Sequence, residues 1–121
     1  MRGEGYITKP AQYALVHEKG SSWVSPLLVM RVLPNGLPFS RYGFSVGKRL
    51  GKAVKRNRVK RLLREILRLT EVKTGWDVVF IARQAAARAD YVSLDKTIKD
   101  LLSRAELLLN REDEKVCLNT D

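Results

Sequence analysis

The chain of 121 residues holds one cysteine and one histidine. A lone thiol closes no intramolecular disulfide, and one Cys with one His does not make a metal site. His17 is the only imidazole available as a base, which argues against a nucleophilic triad built from this chain. Cys117 sits beside Glu112, Asp113 and Glu114 and reads as a free thiol in a polar tail. Long apolar runs are also missing: none approaches the ~20 residues that span a bilayer. The opening Met1-Arg2-Gly3-Glu4-Gly5-Tyr6 lacks the hydrophobic core of a signal peptide, so the expected location is cytoplasmic. There is no internal repeat and no low-complexity segment.

Acid is the last scarcity, and it is local. Between Lys48 and Arg68 stand ten Lys/Arg residues and a single acid, Glu65. That segment carries nearly all of the formal +10, while the rest of the chain is close to neutral. Clustered cations are the footprint of a polyanion partner, because counterions are released only where positive charge is dense. A hydrophobic content of 45% is ordinary for a folded protein, so the basic excess does not imply disorder. The length fits one domain with a real core.

The pattern predicts a mixed α+β fold in the order helix, strands, basic helix, strand, helix. Thr8 is placed to cap a first helix, with Pro10 in its first turn and Gly20 past its end. Tyr13, Val16 and His17 share one face of it. A short strand is predicted around Ser22–Val24, and a longer one over Leu27–Leu33 ending at the Pro34-Asn35-Gly36 turn. From Phe39 to Gly47, Tyr42, Phe44 and Val46 alternate with polar or small residues. Trp76–Ala82 is a near-continuous apolar run of strand length, suited to a buried central position. The last helix is predicted from Asp90 or Ser93 to Asn110, with Leu94, Ile98, Leu101, Leu102, Ala105, Leu108 and Leu109 as its core face. Residues 1–7 and 111–121 are expected to be flexible flanks of a single nucleic-acid-binding domain, 1–121.

The basic helix is predicted over Lys52–Thr70. At 100° per residue, Val59, Leu62, Leu63, Ile66, Leu67 and Leu69 fill an arc about 160° wide. Opposite lie Asn57, Lys60, Arg61, Arg64 and Arg68, with Arg58 at the edge, while Lys48, Arg49, Lys52, Lys55 and Arg56 extend the charge around the amino-terminal end. Cations at a helix amino terminus oppose its dipole and repel one another, and a bound phosphate reverses both penalties. Arginine suits bidentate phosphate and base-edge contacts, and Asn57 is placed either to read a base edge or 2′-hydroxyl or simply to be solvated. The apolar arc is needed for the domain's own core, which argues against a membrane-surface helix.

Gly43-Phe44-Ser45-Val46-Gly47-Lys48-Arg49-Leu50-Gly51-Lys52-Ala53-Val54-Lys55-Arg56-Asn57-Arg58-Val59-Lys60-Arg61-Leu62-Leu63-Arg64-Glu65 closely resembles the signature of the bacterial ribonuclease P protein family. Arg56-Asn57-Arg58 matches its RNR motif, Asp77–Arg83 resembles its following strand, and the Tyr13…His17…Gly20 spacing resembles its first helix. The resemblance covers most of residues 6–110. It implies an α/β sandwich with a left-handed βαβ crossover, contrary to the general right-handed rule. It also implies partnership with a catalytic RNA, removal of 5′ leaders from precursor tRNA, and chemistry carried by that RNA with Mg²⁺. No metal is expected on the protein alone and no obligate protein partner is evident.

Carried over by position, Lys48, Arg49, Lys52, Arg56, Asn57, Arg58, Lys60, Arg61, Arg64 and Arg68 would face RNA. Tyr13, His17, Arg31 and Ser45 would line a leader cleft, with Asn57, Lys60 and Arg64 on its rim. The family often has phenylalanines where Tyr13 and His17 stand, and an aromatic where Arg31 stands. A leader of variable sequence calls for stacking faces and a positive wall rather than base-edge readout. Two other readings fit the composition: a structural RNA-binding protein of ribosomal type without a substrate, and a DNA reader using the basic helix. Strands on both sides of that helix argue against a helix-turn-helix.

Overall fold

A computed structural model describes residues 5–109. Its elements are α1 (Pro10–Lys19), β1 (Ser21–Val24), β2 (Leu28–Pro34), β3 (Arg41–Ser45), α2 (Ala53–Arg68), β4 (Trp76–Ala82) and α3 (Tyr91–Arg104). Short 3₁₀ turns at Lys48–Leu50 and Gln84–Arg88 precede α2 and α3. The four strands form one sheet in the order β1-β2-β4-β3. β4 pairs antiparallel with β2 and parallel with β3, so α2 is the crossover of a βαβ unit. Among the described residues no helix is long and apolar enough to cross a membrane.

Strand alternation divides the side chains between two layers. Leu28, Met30 and Val32 of β2, Tyr42 of β3, and Val78, Phe80 and Ala82 of β4 join α2 and α3 in the main core. Val59, Leu63, Ile66 and Leu67 of α2, and Leu94, Ile98, Leu101 and Leu102 of α3, close it from above. On the opposite face, α1 places Val16 against Val79 and Ile7 in a much smaller cluster. Being central, β4 is buried on both faces, which accounts for its continuous apolar sequence.

The element edges differ from the sequence expectation at identifiable places. Lys9, not Thr8, is the residue before α1; Gln12 Oε1 accepts from the backbone N–H groups of both Thr8 and Lys9, each at 3.2 Å. Residues 5–7, expected within a flexible lead-in, dock instead. Ile7 is buried, and its N–H donates to the Tyr42 carbonyl at 2.8 Å, along the free edge of β3. Leu69, expected in the buried arc, is 62% exposed: it keeps helical geometry just past Arg68 but falls at the outer edge of the arc set by Val59, Leu63, Ile66 and Leu67.

The last helix stops six residues short of Asn110, a position outside the described residues along with the 111–121 tail and Cys117. Glu106 adopts a φ of 60°, Glu106 N–H donates to the Ser103 carbonyl (3.0 Å) and Leu107 N–H to the Leu102 carbonyl (2.8 Å). This is a Schellman termination with Glu where glycine is usual. It drops Leu107 into the core beside Leu102 and leaves Leu109 at the surface. The chain then pairs back, with Lys73 N–H on the Leu107 carbonyl and Leu109 N–H on the Glu71 carbonyl.

Burial pushes the Tyr42 phenol up to about 12. Below the ordinary phenol pKa of about 10 both folded and unfolded chains hold the proton, so the group adds no pH dependence. Between about 10 and 12 only the unfolded chain loses it, and stability falls as pH rises, by about 2–3 kcal/mol in full. Urea unfolding at pH 9 and pH 11.5 should show this extra loss in the parent chain and not in Tyr42→Phe. An equal loss in both chains would assign the alkaline sensitivity to other groups.

Candidate RNA-binding surface

The outer layer of α2 is set by its inner one. With Val59, Leu63, Ile66 and Leu67 fixed on the core, Asn57, Arg61, Arg64 and Arg68 point outward and are exposed. Lys60 and Arg58 fall on opposite flanks, both half-buried. Arg58 reaches the segment just before α3 and donates through Nη2 to the Ala89 carbonyl at 3.2 Å. It also lies near Asp90, whose carboxyl is held below the usual range first by the Ser93 backbone N–H and hydroxyl and then by this guanidinium.

The amino-terminal end of α2 has no side-chain cap and no acid in its first turn. Lys48, Arg49, Lys52 and Lys55 are all exposed around it. Arg56 is half-buried, and its Nε is buried without a hydrogen-bond partner among the described residues. Of the ten cations from Lys48 to Arg68, only Arg68 makes an ion pair among the described residues, with Glu65 at 2.6 Å. Glu65 is held below its usual pKa by that hydrogen bond. The surface is therefore concentrated positive charge, beside free helix N–H groups that favour an anion.

Two concavities flank β3. The first, about 470 Å³, lies at its free edge between α1 and α2 and is lined by Tyr6, Ile7, Thr8, Tyr13, Tyr42, Phe44, Lys60 and Arg64. Tyr13 lies directly on Gly43: a Cβ there would sit 2.6 Å from the phenol ring, so only glycine permits the approach. The Tyr13 hydroxyl donates to the Ile7 carbonyl at 3.4 Å. Tyr6 packs against Phe44 at 6.3 Å between ring centroids, and Phe44 stacks on Phe80 at 6.5 Å. Aromatic faces and two cations thus meet in one cleft.

The second groove, about 580 Å³, opens at the carboxyl ends of the parallel strands β3 and β4. Ser45, Lys48, Arg49, Ile81, Arg83 and Gln84 are among its walls. Ser45 is two residues along β3 from Gly43, on the same face. In register with it, Ile81, Val29 and Val24 form a row across the sheet, the last of them 53% exposed.

The structure thus gathers Tyr13, Lys60 and Arg64 in one cleft and Ser45, Lys48 and Arg49 in the next. Asn57 stands on the outer face of α2 between the outward arginines. His17 is exposed in the last turn of α1 and lines neither concavity. Arg31 lies beneath the carboxyl end of α1, where its guanidinium donates to backbone carbonyls. Tyr6, Phe44, Arg83 and Gln84 line the concavities without having been singled out in the sequence. Phe44 was legible only as part of an apolar strand face, and the Tyr6-Ile7 pair ahead of α1 was the available sign of docking. Among the described residues, no three His, Cys, Asp or Glu side chains cluster to hold a metal ion.

Fold and surface together define a small basic α+β protein with an amphipathic crossover helix and an aromatic cleft beside it. A family profile described as Ribonuclease P matches residues 1–106. The ribonuclease P protein component of Dehalococcoides mccartyi strain CBDB1 is 45% identical over 121 residues, covering all of both chains. The solved RNase P protein of Staphylococcus aureus superposes with a TM-score of 0.80 at 29% identity, covering 87% of this chain and 98% of that one. The protein from Thermotoga maritima gives a TM-score of 0.76 at 30% identity, covering 82% and 96%. The chain belongs to the ribonuclease P protein family.

Proposed function

We propose that this chain is the protein subunit of a ribonucleoprotein endonuclease that matures the 5′ ends of tRNA. On this reading the outer face of α2 and the cations around its amino terminus dock on the catalytic RNA. The cleft at the β3 edge holds the single-stranded leader of the precursor, with Tyr13 as a stacking face and Lys60 and Arg64 as its positive wall. The cut itself belongs to the RNA, and Mg²⁺ finds its ligands among phosphates. The chain's own contribution is to bind, orient and screen charge.

The observation that carries this reading is the joining of aromatic faces to Lys60 and Arg64 in a cleft beside the basic helix. A purely structural RNA binder needs the helix but not the cleft. Stacking of a base on an aromatic is worth about 1–3 kcal/mol, so one such contact separates precursor from mature tRNA by about tenfold.

The purified chain should cleave nothing alone, and adding the catalytic RNA should restore leader removal and lower the Mg²⁺ requirement. The assembled particle should bind precursor tRNA more tightly than mature tRNA, and Tyr13→Ala should remove most of that difference. Equal affinities, unmoved by Tyr13→Ala, would favour the structural role. Cleavage at the mature 5′ end by the RNA-free chain would return the chemistry to the protein.

A further inference from the structure

Ten residues long, α1 has one buried residue, Val16. A helix this short is marginal by itself, and a single valine contributes only about 1.5–3 kcal/mol when fully buried. Something else must fix α1 on the sheet. The Val16 carbonyl takes the Gly20 N–H at 2.8 Å; the carbonyls after it are left without a helical partner, and this end of α1 lies over β2.

Arg31 of β2 meets them. Its Nη2 donates to the His17 carbonyl at 2.6 Å and the Gly20 carbonyl at 3.1 Å, and its Nε to the Val16 carbonyl at 3.4 Å. Nη1 donates to the Ser22 hydroxyl on the neighbouring strand. All three guanidinium nitrogens therefore have partners inside the protein. A cation at a helix carboxyl terminus also complements the dipole. The approach is close enough that a Cβ on Gly20 would collide with the Val16 carbonyl and lie 2.8 Å from that of Val32. At the other end of the same contact, Tyr13 rests on Gly43.

We propose that Arg31 is a positioning residue: it clamps the carboxyl end of α1 to the sheet, sets Tyr13 over Gly43, and acts on the leader only through that placement. The leader part of this statement rests on the proposed function; the clamp does not. Lysine cannot reproduce the clamp, because one ammonium lacks the planar fork that bridges two strands and three carbonyls.

Two measurements on Arg31→Lys and Arg31→Ala decide it. Hydrogen exchange on the full-length free protein should show α1 amides exchanging at least about tenfold faster in both variants, with α2 and α3 unchanged. In the assembled particle, the preference for precursor over mature tRNA should fall about three- to tenfold. On a Tyr13→Ala background the same substitutions should cause no further fall, and the salt dependence of precursor binding should not change. Unaltered α1 exchange would overturn the clamp. Losses that multiply with Tyr13→Ala, or a salt slope lower by about one unit, would instead mean that Arg31 grips the leader itself. A parental preference in Tyr13→Ala alone would sink the cleft reading and the leader part of this proposal, while the exchange data still judge the clamp.

Discussion

Alanine in place of Arg56, Arg58 and Arg61 together is expected to weaken binding to the catalytic RNA by about 100- to 1,000-fold at moderate salt. The effect should be electrostatic in signature. Removing one phosphate-bound cation lowers the slope of log affinity against log salt by about 0.7–0.9, so removing three lowers it by about two units or slightly more. High salt should then bring parent and variant together. Arg61 is exposed and has no partner among the described residues, so its removal costs the fold little. Arg58 also holds the Ala89 carbonyl, and breaking that bond should cost about 0.5–1.5 kcal/mol, which a urea titration separates from the binding defect. Unchanged affinity and slope in a folded variant would remove α2 as the docking surface.

The largest effect on stability is expected far from the cations, at Asp77. This carboxylate is 4% exposed at the start of β4 and takes a fork from Arg41, Nε to Oδ1 at 2.8 Å and Nη2 to Oδ2 at 2.7 Å. Asn35 adds a third bond to Oδ1 at 2.9 Å. Asp77→Ala strands a largely covered guanidinium and frees the turn that leads into β3. Breaking a fully buried pair costs about 3–5 kcal/mol; Arg41 keeps some contact with water, so about 2–4 kcal/mol is expected here, or about 10 °C in Tm. Arg41→Ala with Asp77→Ala should cost less than the sum of the two single substitutions, since neither charge is then left alone. A Tm within about 2 °C of the parent in Asp77→Ala would show the fork to be dispensable.

Local chemistry explains which parts of this were readable in the sequence. β4 announced itself because a strand buried on both faces is apolar almost throughout, with Asp77 near its start as the one charged residue. The arc of α2 was equally plain, since its charged and aliphatic residues separate cleanly at helical spacing. The end of α3 was not. Leu108 and Leu109 continue the period, and the residue that turns the chain is Glu106 rather than a glycine. Docking of residues 5–7 depends on the free edge of β3, a partner more than thirty residues away. Arg31 read as a residue offered to RNA because its acceptors, on residues 16, 17 and 20, come within reach only once α1 lies against β2. Motif spacing thus pointed to the candidate surface, while long-range geometry sets which side chains line its concavities and which are turned to contacts within the fold.

The inner position of β4 also dates the appearance of the site during synthesis. Both β2 and β3 rely on it as a neighbour, and β3 has no other named strand beside it. Until residue 82 has left the ribosome, the only named strand pair available is the β1–β2 hairpin, and the apolar arc of α2 lacks Val78, Phe80 and Ala82, which share its core. Tyr13, Lys60 and Arg64 are made early but have no wall between them until then. The cleft is therefore a late product of translation, completed by a strand that contributes no side chain to its lining.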